Sequence, residues 1–171
     1  MRLLEKLWIV IVLLVASALC QAAEGEGYKG EVAGFGGLQH FRDSTKATIG
    51  GQIGSTFAGN SMVFVETAYV PSYSEGAKLV NFLGGVNIGF PTRLDKLVPY
   101  FGVFGGLGRF SGQGVVSESA ASFGLSFGAR YFLGPRWGVR PEFRWQRYQE
   151  SGQGLNSYSF STGLFYRFGE R

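Results

Sequence analysis

Thiol and imidazole chemistry is almost missing from this chain, which has one cysteine, Cys20, and one histidine, His40, in 171 residues. A metal centre of the thiolate or imidazole kind needs three or four such ligands, so none is expected, and no cofactor motif is present. Cys20 lies in an N-terminal apolar run, which leaves the remainder without any means of forming a disulfide. That remainder must be held by packing and backbone pairing alone. Basic runs are also missing. With a formal charge of only +4 and no stripe of lysine or arginine to follow a phosphate backbone, nucleic acid is not an expected partner. No stretch repeats its apolar residues with a persuasive helical period. The 28 glycines would each weaken a helix by about 1 kcal/mol relative to alanine.

One segment stands apart. Residues 1–23 begin with Arg2 and Lys6, continue as "LWIVIVLLVASALC" and leave through the small residues of "CQAA". These are the three regions of a secretory signal peptide, and the apolar run is shorter than the roughly 20 residues of a spanning helix. Cleavage is expected near Ala22 or Ala23. Cys20 as an acylated lipoprotein cysteine is the lesser alternative, because Leu19 stands where such signals place a small residue. Residues 24–171 then form one domain with 14 basic and 11 acidic side chains, a net charge of +3.

That domain is glycine and aromatic residues in alternation, a composition suited to strands that curve around a confined interior. Eight segments alternate with period two: 28–39, 47–58, 61–70, 77–90, 97–110, 120–133, 137–148 and 157–168. In the last, Tyr158, Phe160, Thr162, Leu164, Tyr166 and Phe168 alternate with Ser157, Ser159, Ser161, Gly163 and Arg167. The segment "GARYFLGPRWGVRPEFRWQRY" has the same two strips, one with Tyr131, Val139, Phe143 and Trp145, the other with Arg130, Arg140, Glu142 and Arg144. The faces of 97–110 are the hardest to separate. Tyr100, Phe104 and Phe110 are assigned to its apolar side, leaving Arg109 on the polar one. Polar connections at 41–46, 71–76, 111–119 and 149–156 read as loops.

Two architectures share this periodicity. In a soluble exported barrel the apolar strip faces inward and binds an apolar ligand. In a transmembrane barrel it faces lipid while the polar strip fills the lumen. Three features favour the second. The polar strip is Gly, Ser, Asn and Thr with isolated charges, not the lysine and glutamate of a wetted sheet. Tyr69, Tyr131, Trp145, Tyr158 and Tyr166 recur near strand ends on the apolar strip, as an interfacial girdle requires. Strands in lipid must also close on themselves, and eight is an allowed number. Pro141 sits awkwardly inside a strand, and a bulge near the turn is expected to absorb it.

The hairpin of 128–148, together with "VPYFGVFGGLG" and "VFVETAYV", resembles strands of the small outer-membrane β-barrels of the OmpA/OmpX-like group. The resemblance covers essentially all of 24–171. It implies an all-β, eight-stranded antiparallel up-and-down transmembrane β-barrel in the bacterial outer membrane, with outer-membrane lipids as partners. It further implies that Phe168, the near-terminal aromatic of an alternating last strand, is read by the barrel-assembly machinery. Here Gly169, Glu170 and Arg171 extend beyond that aromatic. The expected lumen charges are Glu66, Arg130, Arg140, Glu142, Arg144 and Arg167, with Glu31 and Arg109 as further members. They suit a salt-bridge network that fills the interior, or a narrow anion-preferring pore. His40, near Asp43 and Ser44, is the only histidine for a hydrolase or acyltransferase site, and it reads as a solvated loop residue with no catalysis expected.

Overall fold

In the computed structural model, residues 28–169 are described apart from 59, 75–76, 91, 95, 113–114 and 151–152. The signal peptide expected over residues 1–23 lies outside the described residues. The remainder forms eight strands: β1 (Gly30–Phe41), β2 (Ser44–Ala58), β3 (Ser61–Ser74), β4 (Ala77–Gly89), β5 (Leu97–Gly112), β6 (Val115–Phe132), β7 (Trp137–Glu150) and β8 (Gln153–Phe168). Each pairs antiparallel with the next, and β8 returns to β1, from Gly30 opposite Phe168 to His40 opposite Tyr158. The sheet is a closed barrel in sequence order. Closure removes the free strand edges that an open sheet would expose.

One end of the barrel carries the first and last described residues, Tyr28 and Gly169, and the connections after β2, β4 and β6; it is called here the terminal end. The longest of these is tied by Thr92, whose hydroxyl donates to the carbonyls of Leu94 (3.1 Å) and Leu97 (2.5 Å). The opposite, far end differs from expectation. Strands extend into the stretches read as loops at 41–46, 71–76, 111–119 and 149–156, and among the described residues Arg42–Asp43 alone is a turn between them. Serine and glycine made these stretches look like loops. They keep the strand alternation nonetheless where Phe41, Tyr73 and Leu155 pack against the interior cluster.

Eight strands leave an interior just wide enough for side chains. Glycines on the inner face make room for the large ones. A β-carbon at Gly50 would collide with the Phe35 ring, and one at Gly124 with the Phe104 ring. Pro141 is accommodated without the expected bulge. Pairing between β6 and β7 skips Ala129 and Arg130, then resumes at Tyr131–Val139 in the register held at Gly128–Glu142. The ladder simply opens where the proline has no N–H to give.

Candidate functional site

The lumen brings together charges from five strands. Glu31 of β1 is its hub at the terminal end. Its carboxylate lies 3.1 Å from Arg130 Nε, 3.5 Å from Arg167 Nε and 3.6 Å from Arg140 Nη1. Arg140 Nη2 also donates to Gln52 Oε1 at 2.7 Å. Midway along the barrel Arg144 clamps two carboxylates. Both of its terminal nitrogens donate to Glu66, with Nη2 to Oε2 at 2.6 Å, and its Nε donates to Glu142. The hydroxyl of Tyr100 donates to the other oxygen of Glu142 at 2.5 Å.

These charges are out of water: Glu31, Glu66, Arg130, Arg140, Glu142 and Arg144 are all buried, Arg130 with 1% exposure. Such charges are tolerated only when paired and hydrogen-bonded. Three carboxylates here meet three fully buried guanidinium groups, with Arg167 as a fourth, slightly exposed one at the terminal mouth. The planar guanidinium groups also stack on rings. Arg144 lies 5.6 Å from the Phe35 centroid and 5.3 Å from that of Phe104, Arg130 4.9 Å from Tyr100 and Arg167 4.4 Å from Phe132. The glycines beneath Phe35 and Phe104 therefore serve the ion network as well as the packing.

Toward the far end the interior changes character. Phe41, Val70, Leu79, Ala120 and Tyr148 form a buried cluster, flanked by Tyr73, Phe110 and Leu155. Tyr73 meets Phe41 edge-on at 4.8 Å and Phe110 at 4.9 Å between centroids. Gln39 Nε2 joins this plug to the polar layer below, donating to the Tyr148 hydroxyl (3.1 Å) and to Ser157 Oγ (3.0 Å). Between plug and ion network, a cavity of ≈ 10 Å³ bordered by Asn81, Arg144 and Gln146 is about the size of one water. Among the described residues, the plug and the ion network occupy the lumen on either side of it.

The outer surface inverts in the opposite sense. Along its middle it is apolar and exposed, with Ile49, Val65, Phe82, Phe160 and Leu164 each more than half exposed. Beyond them toward the far end the outward positions become His40, Thr45, Lys78, Arg109, Ser119 and Asn156, all exposed. Tyr69, Tyr131, Trp145, Tyr158 and Tyr166 are all outward-facing: Tyr131 and Tyr166 lie toward the terminal end, Tyr158 and Trp145 pair in register toward the far end. Phe168 ends β8 opposite Gly30, its ring lying where a β-carbon of Gly30 would be.

Two sequence assignments are corrected. Arg109 is not a lumen charge: it is exposed on the outer face, level with Val80 and Ser119. Tyr100, Phe104 and Phe110, assigned outward, point inward, and Tyr100 is nearly inaccessible. The reason is that both faces of β5 are glycine and apolar residues, so hydrophobicity could not separate them. The partners Tyr100 and Gln52, and the hub role of Glu31, were not apparent either. Glu31 was expected inside, and the excess of arginine over the other lumen carboxylates was the available hint that it is the hub. His40 is exposed on the outer face, with Nδ1 3.0 Å from Thr45 Oγ1.

A closed, all-antiparallel eight-stranded barrel of this kind is the fold of the small outer-membrane β-barrels. The chain is similar in fold to the crystal structure of Neisserial surface protein A (TM-score 0.64, 17% identity, covering 85% of this chain and 100% of that one). It is similar also to the N-terminal β-barrel domain of Pseudomonas aeruginosa OprF (TM-score 0.54, 16% identity, 84% and 100% covered). A third is Ail, the attachment invasion locus protein of Yersinia pestis (TM-score 0.51, 13% identity, 83% and 100% covered). No protein-family profile matches the chain, and no curated protein does.

Proposed function

We propose that this chain is a non-catalytic outer-membrane β-barrel, exported by its N-terminal segment and serving a structural or surface-interaction role. The observation that carries the reading is the double inversion of polarity. An exposed apolar belt surrounds a charged, paired interior, and at the far end a polar exterior surrounds an apolar plug. Lipid around the belt and water around the far end account for both halves at once. On this reading the termini face the periplasm and the far end projects outside the cell. Tyr69, Tyr131, Trp145, Tyr158 and Tyr166 mark the two membrane interfaces, and Phe168 presents the last strand to the assembly machinery.

The filled interior argues against the two other roles considered. A narrow anion pore needs a continuous aqueous path, and the plug together with the Arg144 clamp blocks one. A soluble barrel holding an apolar ligand needs an empty apolar chamber, whereas this interior is charged and full. Surface interaction draws support from the exposed Arg42, Asp43 and Glu118 at the far end, and from the fold shared with an attachment invasion protein. The test is cell fractionation with comparison of heated and unheated samples on gels. Recovery in the outer-membrane fraction with a heat-dependent shift is expected, and recovery as a soluble periplasmic protein would overturn the proposal. Planar bilayers holding the protein should show no conductance steps. Lipid A and phospholipid profiles should be the same for the His40→Ala variant as for wild type.

A further inference from the structure

The geometry points to a phosphate-binding lipid site on the outer face of β3, β4 and β5, built from Arg109, Lys78 and Tyr69. It rests on the membrane reading above and names a partner for one patch of that surface. Register fixes the arrangement. Tyr69, Val80 and Arg109 lie side by side across the three strands, all outward. Lys78 is two residues further toward the far end on the middle strand, opposite Ser111. Diagonal neighbours of this kind have α-carbons roughly 7–8 Å apart, within reach of two long side chains converging on one group. Both Lys78 and Arg109 are exposed.

Immediately below the cations the surface turns apolar. Phe82 and Leu107 face each other in register and are both more than half exposed. A cation pair directly above an apolar pair matches a lipid with a phosphate on its headgroup and acyl chains beneath. The outward register neighbours of Arg109 are Val80 and Ser119, and that of Lys78 is Ser111, so no carboxylate competes from those positions. Glu118 is in the opposite, inward register, facing Phe110. Arginine supplies a planar fork that fits two phosphate oxygens, lysine a movable point charge, and tyrosine a hydroxyl at the interface. Arginine at this height avoids the cost it would meet at the centre of the bilayer. The occupant is a phosphorylated glycolipid of the external leaflet.

The test uses the folded barrel in phosphatidylcholine vesicles doped either with bisphosphorylated lipid A or with the same lipid stripped of phosphate. The readout is the doped lipid retained per barrel after extraction. Wild type should retain the phosphorylated lipid preferentially. The double variant Lys78→Ala/Arg109→Ala should lose about twenty-fivefold in affinity, taking roughly fivefold for each cation. Arg93→Ala, an exposed arginine at the terminal end, should retain it as wild type does. Equal retention of the two lipids by wild type, or undiminished retention by the double variant, would overturn the site while leaving the membrane reading intact. Failure of wild type to insert into vesicles of either kind would overturn the membrane reading, and the lipid site with it.

Discussion

The two ends of the barrel solve opposite problems with the same strands. Around the belt, the outside is apolar and the inside is held by Glu31, Glu66 and Glu142 with their arginines. At the far end, the outside is polar and the inside is held by Phe41, Val70, Leu79, Phe110 and Tyr148. Each strand crosses from one regime to the other within a few residues. On β7, Arg140, Glu142 and Arg144 give way to Tyr148 on the inner face, and Phe143 and Trp145 give way to Arg147 on the outer. Side-chain period alone does not say which face is the core. On the membrane reading proposed above the surrounding solvent does, and it changes along the strand.

Substitutions that break one regime without touching the other sharpen this contrast, provided unfolding is followed with urea in lipid vesicles. The largest loss is expected from Glu31→Ala, which strands three guanidinium groups around an empty centre and should cost about 4 kcal/mol. Next comes Phe41→Ala in the plug, at about 3 kcal/mol, because it removes a ring from a core with no spare residue to collapse into the space. In the belt, Val65→Arg should cost about 2–3 kcal/mol in vesicles, since it sets a charge against lipid near mid-depth. Tyr100→Phe removes one donor from Glu142 while Arg144 remains, and should cost about 1.5 kcal/mol. Arg109→Ala, exposed on the outer face near the rim, should stay within about 0.5 kcal/mol of wild type. A large effect at Arg109 and a small one at Glu31 would reverse the assignment of inside and outside.

The strand count and the inward placement of β7's charges were legible in sequence because Arg140, Glu142 and Arg144 alternate cleanly with Val139, Phe143 and Trp145. β5 was opaque. With glycine at positions 102, 105, 106 and 108 and apolar residues on both faces, its orientation shows only in the assembled barrel, where Tyr100 reaches Glu142 and Arg109 lies outward beside Val80. The far-end strands were hidden for a different reason. Stretches such as 41–46 and 149–156 are polar enough to be loops in water. They carry strand where Phe41 and Leu155 turn inward against the plug. Long-range partners such as Gln39 and Tyr148, 109 positions apart, carry no local signature at all.

The central claim is that lipid surrounds the belt and water the far end. Spin labels placed singly along the outer face of β8, at Asn156, Tyr158, Phe160, Thr162, Leu164, Tyr166 and Phe168, with Cys20 replaced by serine, test it directly in lipid vesicles. Oxygen, which concentrates in the bilayer, should relax labels at Phe160, Thr162 and Leu164 most strongly, and a water-soluble nickel complex should reach Asn156 and not those three. Nickel access at every one of the seven positions would contradict the account and return the chain to the soluble barrels.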